Sequence, residues 1–436
     1  MRLALLVLWG IACGEAGSAP PTEERSQPEG SSRAATPSRT ATPQATTPLT
    51  LWIGGDVLLS EAIRDYARSF DDPAQGMARV LAPAARLWTQ DRGAFVLVNL
   101  ELPVPDRRRF ALDRAPANPH GYTAVRLSGP TWLLPALARS GIHAVSLANN
   151  HALDQGRAGL SETIANANAA GLLVTGAGRY PNHRWPLVLG EEGHEVAVVA
   201  LYDGRGQRFA EAGDPTVSHL DEEGVALVAT CAERYAAVVV VVHVLGELVR
   251  EPEPQWRAWA ERLAAAGASA ILVHGTHVVM PVERVAGVPV AWGLGNLVSD
   301  MGRLASPVRP YRPGEPKARS PWVREALLAR LRFEGDTVEL RFLPAWMSDD
   351  RYARWHADLP GGDLIELQLL PLGPGRDAAL LPPWPEPYRG RVARWVASRR
   401  DALLEAAHLS WGPPDASGRR WLLPAFAAPL RASDRR

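Results

Sequence analysis

The apolar residues of this chain gather into short unbroken runs, and one end of each run hands over to side chains able to bind a metal or move a proton. Thr50-Leu51-Trp52-Ile53 runs into Gly55-Asp56, and Ala94-Phe95-Val96-Leu97-Val98 runs into Asn99-Leu100-Glu101. Ala144 to Ala148 stops at Asn149-Asn150-His151, with Asp154 close behind. Val238 to Val242 is all valine and ends at His243; Ala270 to Val273 ends at His274, with His277 three residues on. Runs of this length without polar alternation predict strands buried on both faces, the kind found in sheets covered by helices.

Between the runs lie stretches of helical character: Ser60–Phe70, Met77–Trp88, Pro130–Ser140, Gly159–Ala170, Glu222–Arg234 and Pro254–Ala266. Gly141, Gly171 and Gly267 follow three of them, as expected just past a helix end. Pro254–Ala266 carries Trp256, Trp259, Ala260 and Leu263 on one side. Further strands are predicted at Leu172–Val174, Glu195–Leu201 and Val288–Trp292. Ala326–Phe333 and Thr337–Leu343 alternate in period two around Gly335-Asp336, a hairpin pattern. Alternating strands and helices argue an α/β domain over residues 50–345. The Arg/Pro-rich stretch 103–128 reads as a surface insertion. Residues 346–436 form a Pro/Trp-rich extension packed on the domain, with one helix at Arg389–Ala407 and no assigned role.

Composition narrows the picture. The 436-residue chain is 46% hydrophobic and 22% charged, ordinary for a folded protein, and its formal net charge of zero gives no electrostatic case for nucleic acid. Lys317 is the only lysine, which excludes lysine-based covalent chemistry elsewhere. Met1-Arg2 and the apolar run Leu3–Ala12 form a signal-peptide pattern too short to span a membrane. The run ends Trp9-Gly10-Ile11-Ala12-Cys13, which resembles a bacterial lipobox with Cys13 as the lipidated residue; secretion with cleavage near Ala19 is the alternative. Residues 14–49, rich in Pro, Thr, Ser and Ala, cannot bury enough apolar surface to order and predict a disordered tether. The expected location is therefore extracytoplasmic, lipid-anchored or secreted. Cys231 reads as a buried small hydrophobe, not a disulfide partner of Cys13.

The polar residues at the strand ends are Asp56, Glu101, Asn150, His151, His243, His274 and His277. In α/β folds, loops at the carboxyl ends of strands converge on one crevice. Singly, an Asp after a glycine pair is usually turn chemistry, and a His after a strand is usually a satisfied histidine. Five such strand ends together read as a site. Carboxylate, amide oxygen and imidazole suit two divalent transition ions, Mn, Fe or Zn, and no thiolate favours a structural zinc cage. His151 could give a proton to a leaving group, with Asp154 orienting it. Asn149 is expected to serve the turn. Glu247, four residues after His243, reads equally as a solvated carboxylate or as one behind the metal ligands.

These motifs resemble the CapA family of poly-γ-glutamate capsule biosynthesis proteins, related in fold to calcineurin-like metallophosphatases. The resemblance is carried by Leu147-Ala148-Asn149-Asn150-His151-Ala152-Leu153-Asp154-Gln155-Gly156, Gly55-Asp56, Asn99-Leu100-Glu101, Gly176-Ala177-Gly178, His243 with Glu247, His274-Gly275-Thr276-His277 and Gly293-Leu294-Gly295-Asn296. It implies a four-layer α/β/β/α sandwich and a dinuclear metal site. Asp56, Glu101, Asn150, His243, His274 and His277 would be the ligands, with Asn99 and Glu247 behind them and His151 the acid. It also implies work on an anionic polymer such as poly-γ-glutamate; a phosphoester substrate and a purely structural metal remain as alternatives. Val244-Leu245 and Val273 depart from the Trp-Gly and glycine usual in the family, without deleting a ligand.

Overall fold

The computed structural model describes residues 48–59, 61–108, 126–204, 210–299, 321–334, 337–348, 368–374, 389–425 and 430–431. The N-terminal apolar run, Cys13 and nearly all of the tether lie outside these described residues. Strand β1 (Leu49–Val57) leads into helices α1 (Glu61–Arg68) and α2 (Pro73–Thr89), then β2 (Phe95–Leu100). Helix α3 (Leu133–Arg139), β3 (Ala144–Ser146), α4 (Gly156–Ala169) and β4 (Leu173–Thr175) follow. Short strands β5 (Ala177–Arg179) and β6 (Leu187–Leu189) precede β7 (Val196–Asp203), β8 (Pro215–Val217) and α5 (Glu222–Arg234). Next come β9 (Ala237–Val244), α6 (Pro254–Ala265), β10 (Ala270–His274), β11 (Val282–Val285), β12 (Val288–Ala291) and β13 (Asn296–Val298). The chain closes with the hairpin β14 (Glu325–Glu334) and β15 (Thr337–Ser348), then β16 (Gln368–Pro371), α7 (Arg389–Ala407), β17 (Leu409–Pro414), β18 (Arg420–Pro424) and β19 (Leu430–Arg431).

The strands make two main sheets. The first runs β17-β18-β15-β14-β1-β2-β3-β4, with β13 beside β1 and β16 and β19 on β15. Its β1-β2-β3-β4 part is parallel, and the β14–β15 side is antiparallel. The second runs β11-β12-β10-β9-β7-β6, parallel from β12 to β7. The valine run of strand β9 shows why no polar alternation was needed. Val239 and Val241 join Leu51 and Ile53 of β1 in the core between the sheets. Val238, Val240 and Val242 face a second core, with Val228 and Cys231 of α5 and Trp256, Ala260 and Leu263 of α6. On the far side of the first sheet, Met77, Val80 and Leu81 of α2, Leu137 of α3 and Leu160 of α4 complete the larger core. The layers are helix, sheet, sheet, helix: an α/β/β/α sandwich. Cys231 is a free, buried thiol, and burial pushes it up to about 11.

Local chemistry sets the element ends. Helix α2 begins at Pro73, four residues before the predicted Met77, because the Asp72 side chain accepts from Ala74 N at 2.9 Å and Pro73 suits the first helical turn. The hairpin forms as the alternation predicts, with Glu334 opposite Thr337. Strands β16, β18 and β19 all pair with β15, so residues beyond 345 extend the first sheet rather than only covering it. Trp421 of β18 packs 5.7 Å from Trp52, with the guanidinium groups of Arg330 and Arg419 over its ring at 5.2 and 5.5 Å.

Two features of β1 and β14 carry testable consequences. A side chain at Gly55 would place its Cβ 2.1 Å from the carbonyl oxygen of Gly295, which also accepts the Asp56 N–H at 3.0 Å. Gly55→Ala must therefore push two backbones apart; we expect a loss of about 1–3 kcal/mol in urea unfolding. Glu325, at the start of β14, is buried with Oε1 3.6 Å from Nη1 of Arg399. Burial, opposed by the charges of Arg399 and Arg250, pushes its carboxyl up to about 7. The unfolded chain loses this proton as pH rises past about 4.5, before the native chain does, so stability falls between the two values and is flat above them. Glu325→Gln should match the native protein at pH 4 and exceed it at pH 8, by on the order of 3 kcal/mol at most.

Candidate metal centre

The register of the parallel strands lines up their carboxyl ends. Asp56 lies beside Asn99, Asn99 beside Ser146, and His243 beside His274. The two sheets meet at the same level. The His274 ring donates from Nε2 to the Gly54 carbonyl at 2.9 Å, and Gly275 N donates to Asp56 Oδ2 at 3.1 Å. Gly275 has φ +87, and a Cβ there would stand 2.8 Å from His243 Nε2, so glycine lets the turn close over the site. His277 takes the left-handed region at φ +56, a conformation costly for a residue other than glycine and held by its surroundings.

Within this frame a chain of donor atoms forms. Asn150 Oδ1 is 2.8 Å from His243 Nε2, which is 3.6 Å from Glu101 Oε1. The same Glu101 oxygen is 3.6 Å from His277 Nε2, and His277 Nδ1 is 3.4 Å from Asp56 Oδ2. Atoms bound to one ion at about 2.0–2.2 Å stand roughly 3–3.5 Å from one another, close to this spacing. Asp56, Glu101 and His243 each offer an atom within 4.8 Å of the other two. Behind them, Asn99 Nδ2 donates to Asp56 Oδ1 at 2.8 Å and reaches His243 Nδ1 at 3.1 Å. His274 stands apart from the chain of donors through Nε2, which is committed to Gly54, so coordination by this residue falls to Nδ1. Glu247 is exposed, and its charge reaches Glu101 and His277.

The electrostatics suit a cation. Burial drives the Glu101 carboxyl upward, and the Asp56 charge adds to it. Burial also works to raise Asp56, but the His277 hydrogen bond and the charges of His277, His274 and His243 hold it below the usual carboxylate range. Burial takes His243 down to about 3 and lowers His274, so both rings are neutral, the form that binds metal. His277 is pushed the other way, because Glu101 and Asp56 outweigh its burial. Glu101 Oε2 is buried with no hydrogen-bond partner, a costly state for a carboxylate. Two carboxyl groups, the neutral imidazoles of His243 and His274 and one orphaned carboxyl oxygen fit a divalent transition ion.

Beside the donors lies a hydrogen-bonded His–Asp pair. His151 Nδ1 is 2.6 Å from Asp154 Oδ2, and both are buried. Burial works against a charge on His151, but the bond and charge of Asp154 and the charge of Glu101 raise its affinity for a proton. The same Asp154 oxygen accepts from Leu127 N at 2.6 Å, and buried Gln155 donates to the Leu127 carbonyl at 3.1 Å. The returning end of the 103–128 insertion is thus pinned to this pair. Asn149 ties the turn together, donating to Leu100 O and accepting from His151 N.

Sequence reasoning did not place Asn296 in the site. Its Oδ1 is 3.0 Å from His277 Nδ1, and its Nδ2 donates to Val323 O at 2.7 Å. The signal was present: Val288–Trp292 is another apolar run ending in Gly293-Leu294-Gly295-Asn296. Leu127 and Gln155 carried no such signal.

Residues 50–301 match the family described as bacterial capsule synthesis protein PGA_cap. The PGA biosynthesis protein CapA of Bacillus subtilis is 31% identical over 159 residues, 36% of this chain and 42% of that protein. A protein of Mycobacterium tuberculosis described as a probable polyglutamine synthesis accessory protein is 30% identical over 223 residues, 47% of this chain and 55% of its own. The chain therefore spans about half the length of the curated relatives it matches. Among solved structures, the sulfate thiohydrolase SoxB of Thermus thermophilus superposes over 83% of this chain and 62% of its own, with 13% identity and a TM-score of 0.38.

The donor geometry predicts that purified protein carries a divalent transition metal, and that Glu101→Gln and His243→Ala each lower the metal content severalfold by mass spectrometry. A chelator should lower the melting temperature of the native protein, by an amount worth about 2.7 kcal/mol if the ion is present at a hundred times its dissociation constant, and leave the two variants unmoved.

Proposed function

This chain belongs to the bacterial capsule synthesis protein PGA_cap family, whose fold is metallophosphatase-like, and from that membership we propose that it serves the synthesis of a poly-γ-glutamate-type anionic polymer as a metal-dependent enzyme outside the cytoplasm. The observation that carries this reading is the buried set of carboxylates and imidazoles with a His–Asp pair directly beside it. We divide the donors into two groups. Asn150, Glu101 and His243 form one; Asp56, His277 and the free Nδ1 of His274 form the other. We take each to hold one ion, of Mn, Fe or Zn.

Ions of this kind supply Lewis acidity, which polarises a carbonyl or phosphoryl oxygen and offsets the charge that develops on it. The protein supplies the rest. Asp154 holds His151 through Nδ1, so Nε2 is the nitrogen free to give a proton to a leaving group. Leu127 N fixes the Asp154 carboxylate from the other side, which sets the plane of the imidazole. Asn99 orients Asp56 and His243 together. Either hydrolysis or transfer of an acyl or phosphoryl group is open to this arrangement. The reading as a phosphoesterase rests on the same His151–Asp154 pair. The polymer reading is favoured by the names of the relatives, two of which are described by PGA or polyglutamine synthesis. In this proposal Cys13 carries a lipid and residues 14–49 hold the domain clear of the membrane. Among the described residues, no helix is long and apolar enough to cross a membrane.

Manganese-loaded protein should turn over either poly-γ-glutamate or a phosphomono- or diester, and His151→Ala should reduce the rate by about 10²–10⁴-fold. Asp154→Asn should also slow the reaction, with metal content unchanged. No turnover of either substrate class above the His151→Ala background would sink the enzymatic reading. Unchanged amount and attachment of surface polymer in a strain lacking the gene would sink the role in capsule synthesis. Cys13→Ala should release the protein from the membrane fraction.

A further inference from the structure

The loop after β9 and the turn before β14 bring an arginine to the rim of the metal centre. Arg250 lies over the ring of Trp322, with its guanidinium carbon 4.3 Å from the ring centroid. Trp322 precedes Val323, whose carbonyl holds Asn296 Nδ2 at 2.7 Å, while Asn296 Oδ1 stands 3.0 Å from His277 Nδ1. The loop bearing Arg250 is also tied to the turn after β10 that carries His277, because Leu248 N donates to Thr276 O at 2.8 Å with Leu248 at φ +59. Arg250 is thus fastened to the centre through two separate backbone links.

Its donors are unspent. Among the described residues Arg250 makes no hydrogen bond and no ion pair, although it lies near enough to Glu325 for its charge to act on that carboxyl. Glu325 is occupied elsewhere, with Oε1 facing Arg399 Nη1 at 3.6 Å. Arg324 beside it is also cationic and buried, donating to Met347 O, and exposed Glu247 is the acidic residue on the Arg250 loop nearest the metal donors. Stacking on an indole holds the guanidinium plane and leaves its edge N–H groups free for a bidentate contact with an oxyanion. Arg250 is half-buried, so its fork is held on an aromatic platform while staying open to an incoming anion.

We propose that Arg250, laid on Trp322 at the rim of the metal centre, is a specificity residue that receives an oxyanion of the substrate, either a free α-carboxylate of the γ-linked polymer or the phosphate of an ester. This deepens the reading of the site as one for anionic substrates and rests on it. It gives the Trp322 turn the task of presenting that arginine.

The test is calorimetric titration of metal-loaded full-length protein with γ-linked glutamate oligomers and, separately, with inorganic phosphate. The native protein is compared with Arg250→Ala, Arg250→Lys and Trp322→Leu, each checked for native metal content. Where the native protein binds the oligomer, Arg250→Ala should weaken it tenfold or more. Arg250→Lys, which keeps the charge but loses the fork, should fall between, and Trp322→Leu should lose severalfold. If the native protein ignores the oligomer but binds phosphate in an Arg250-dependent way, the inference stands with phosphate as its source and the polymer reading fails. If the native protein binds either anion and all variants bind it equally, Arg250 has no such role while the polymer reading survives on oligomer binding. Absence of binding to both anions overturns both. Should the alanine variant lose its metal, Arg250→Gln replaces it.

Discussion

Everything at the centre depends on how closely the backbone of β1 can approach its neighbours. Gly54 and Gly55 carry no side chain at the point where β13 and the end of β10 close on them, and Gly295 and Gly275 make the same concession from the other side. The Gly295 carbonyl accepts Asp56 N, the Gly54 carbonyl accepts from His274, and Gly275 N donates to Asp56. The first of these bonds holds β1 to the segment entering β13 within the first sheet, and the other two stitch that sheet to the second. They also aim the Asp56 carboxylate into the space between them. A methyl group at Gly55 would disturb both at once, because the joint between the sheets and the metal centre are the same few atoms.

The joint confines charge as well as atoms. Asp56 and Glu101 are buried among imidazoles, and the protein holds these groups in unlike states: His243 and His274 neutral, His277 drawn toward its charged form. Burial alone would neutralise both carboxylates. What keeps Asp56 ionised is the proximity of His277, and what leaves Glu101 costly is an oxygen with no donor. The His151–Asp154 pair feels the charge of Glu101 but is anchored elsewhere, to the insertion through Leu127. The candidate metal donors and the His–Asp pair are therefore supported by different parts of the chain.

Much of the plan was legible in one dimension. Val238–Val242 could only be a doubly buried strand, and the structure divides its valines between two cores. The polar residues ending each run could be read because parallel strands share a direction, so residues after them must gather at one edge. The start of α2 was misplaced because the periodic apolar residues begin at Met77, whereas Asp72 and Pro73 had already begun the helix. Residues beyond 345 gave little signal, since β16, β18 and β19 are short strands that pair with β15 across long stretches of chain, and β17 is held only through β18.

By itself the sequence determined which side chains stand at strand ends, the α/β class, the family, and the His151–Asp154 spacing, because each of these is local or follows from strand direction. Tertiary structure alone decided which nitrogen of His151 and of His274 is committed, that Asn296 backs His277, that Leu127 returns to Asp154, and that Arg250 rests on Trp322 with no hydrogen bond or ion pair among the described residues. Those facts rest on contacts between residues far apart in the chain, or on ring orientation, and neither leaves a periodic trace. What sequence spacing can report is the face and end of an element; what a side chain touches across the gap between two sheets is set only when both have packed.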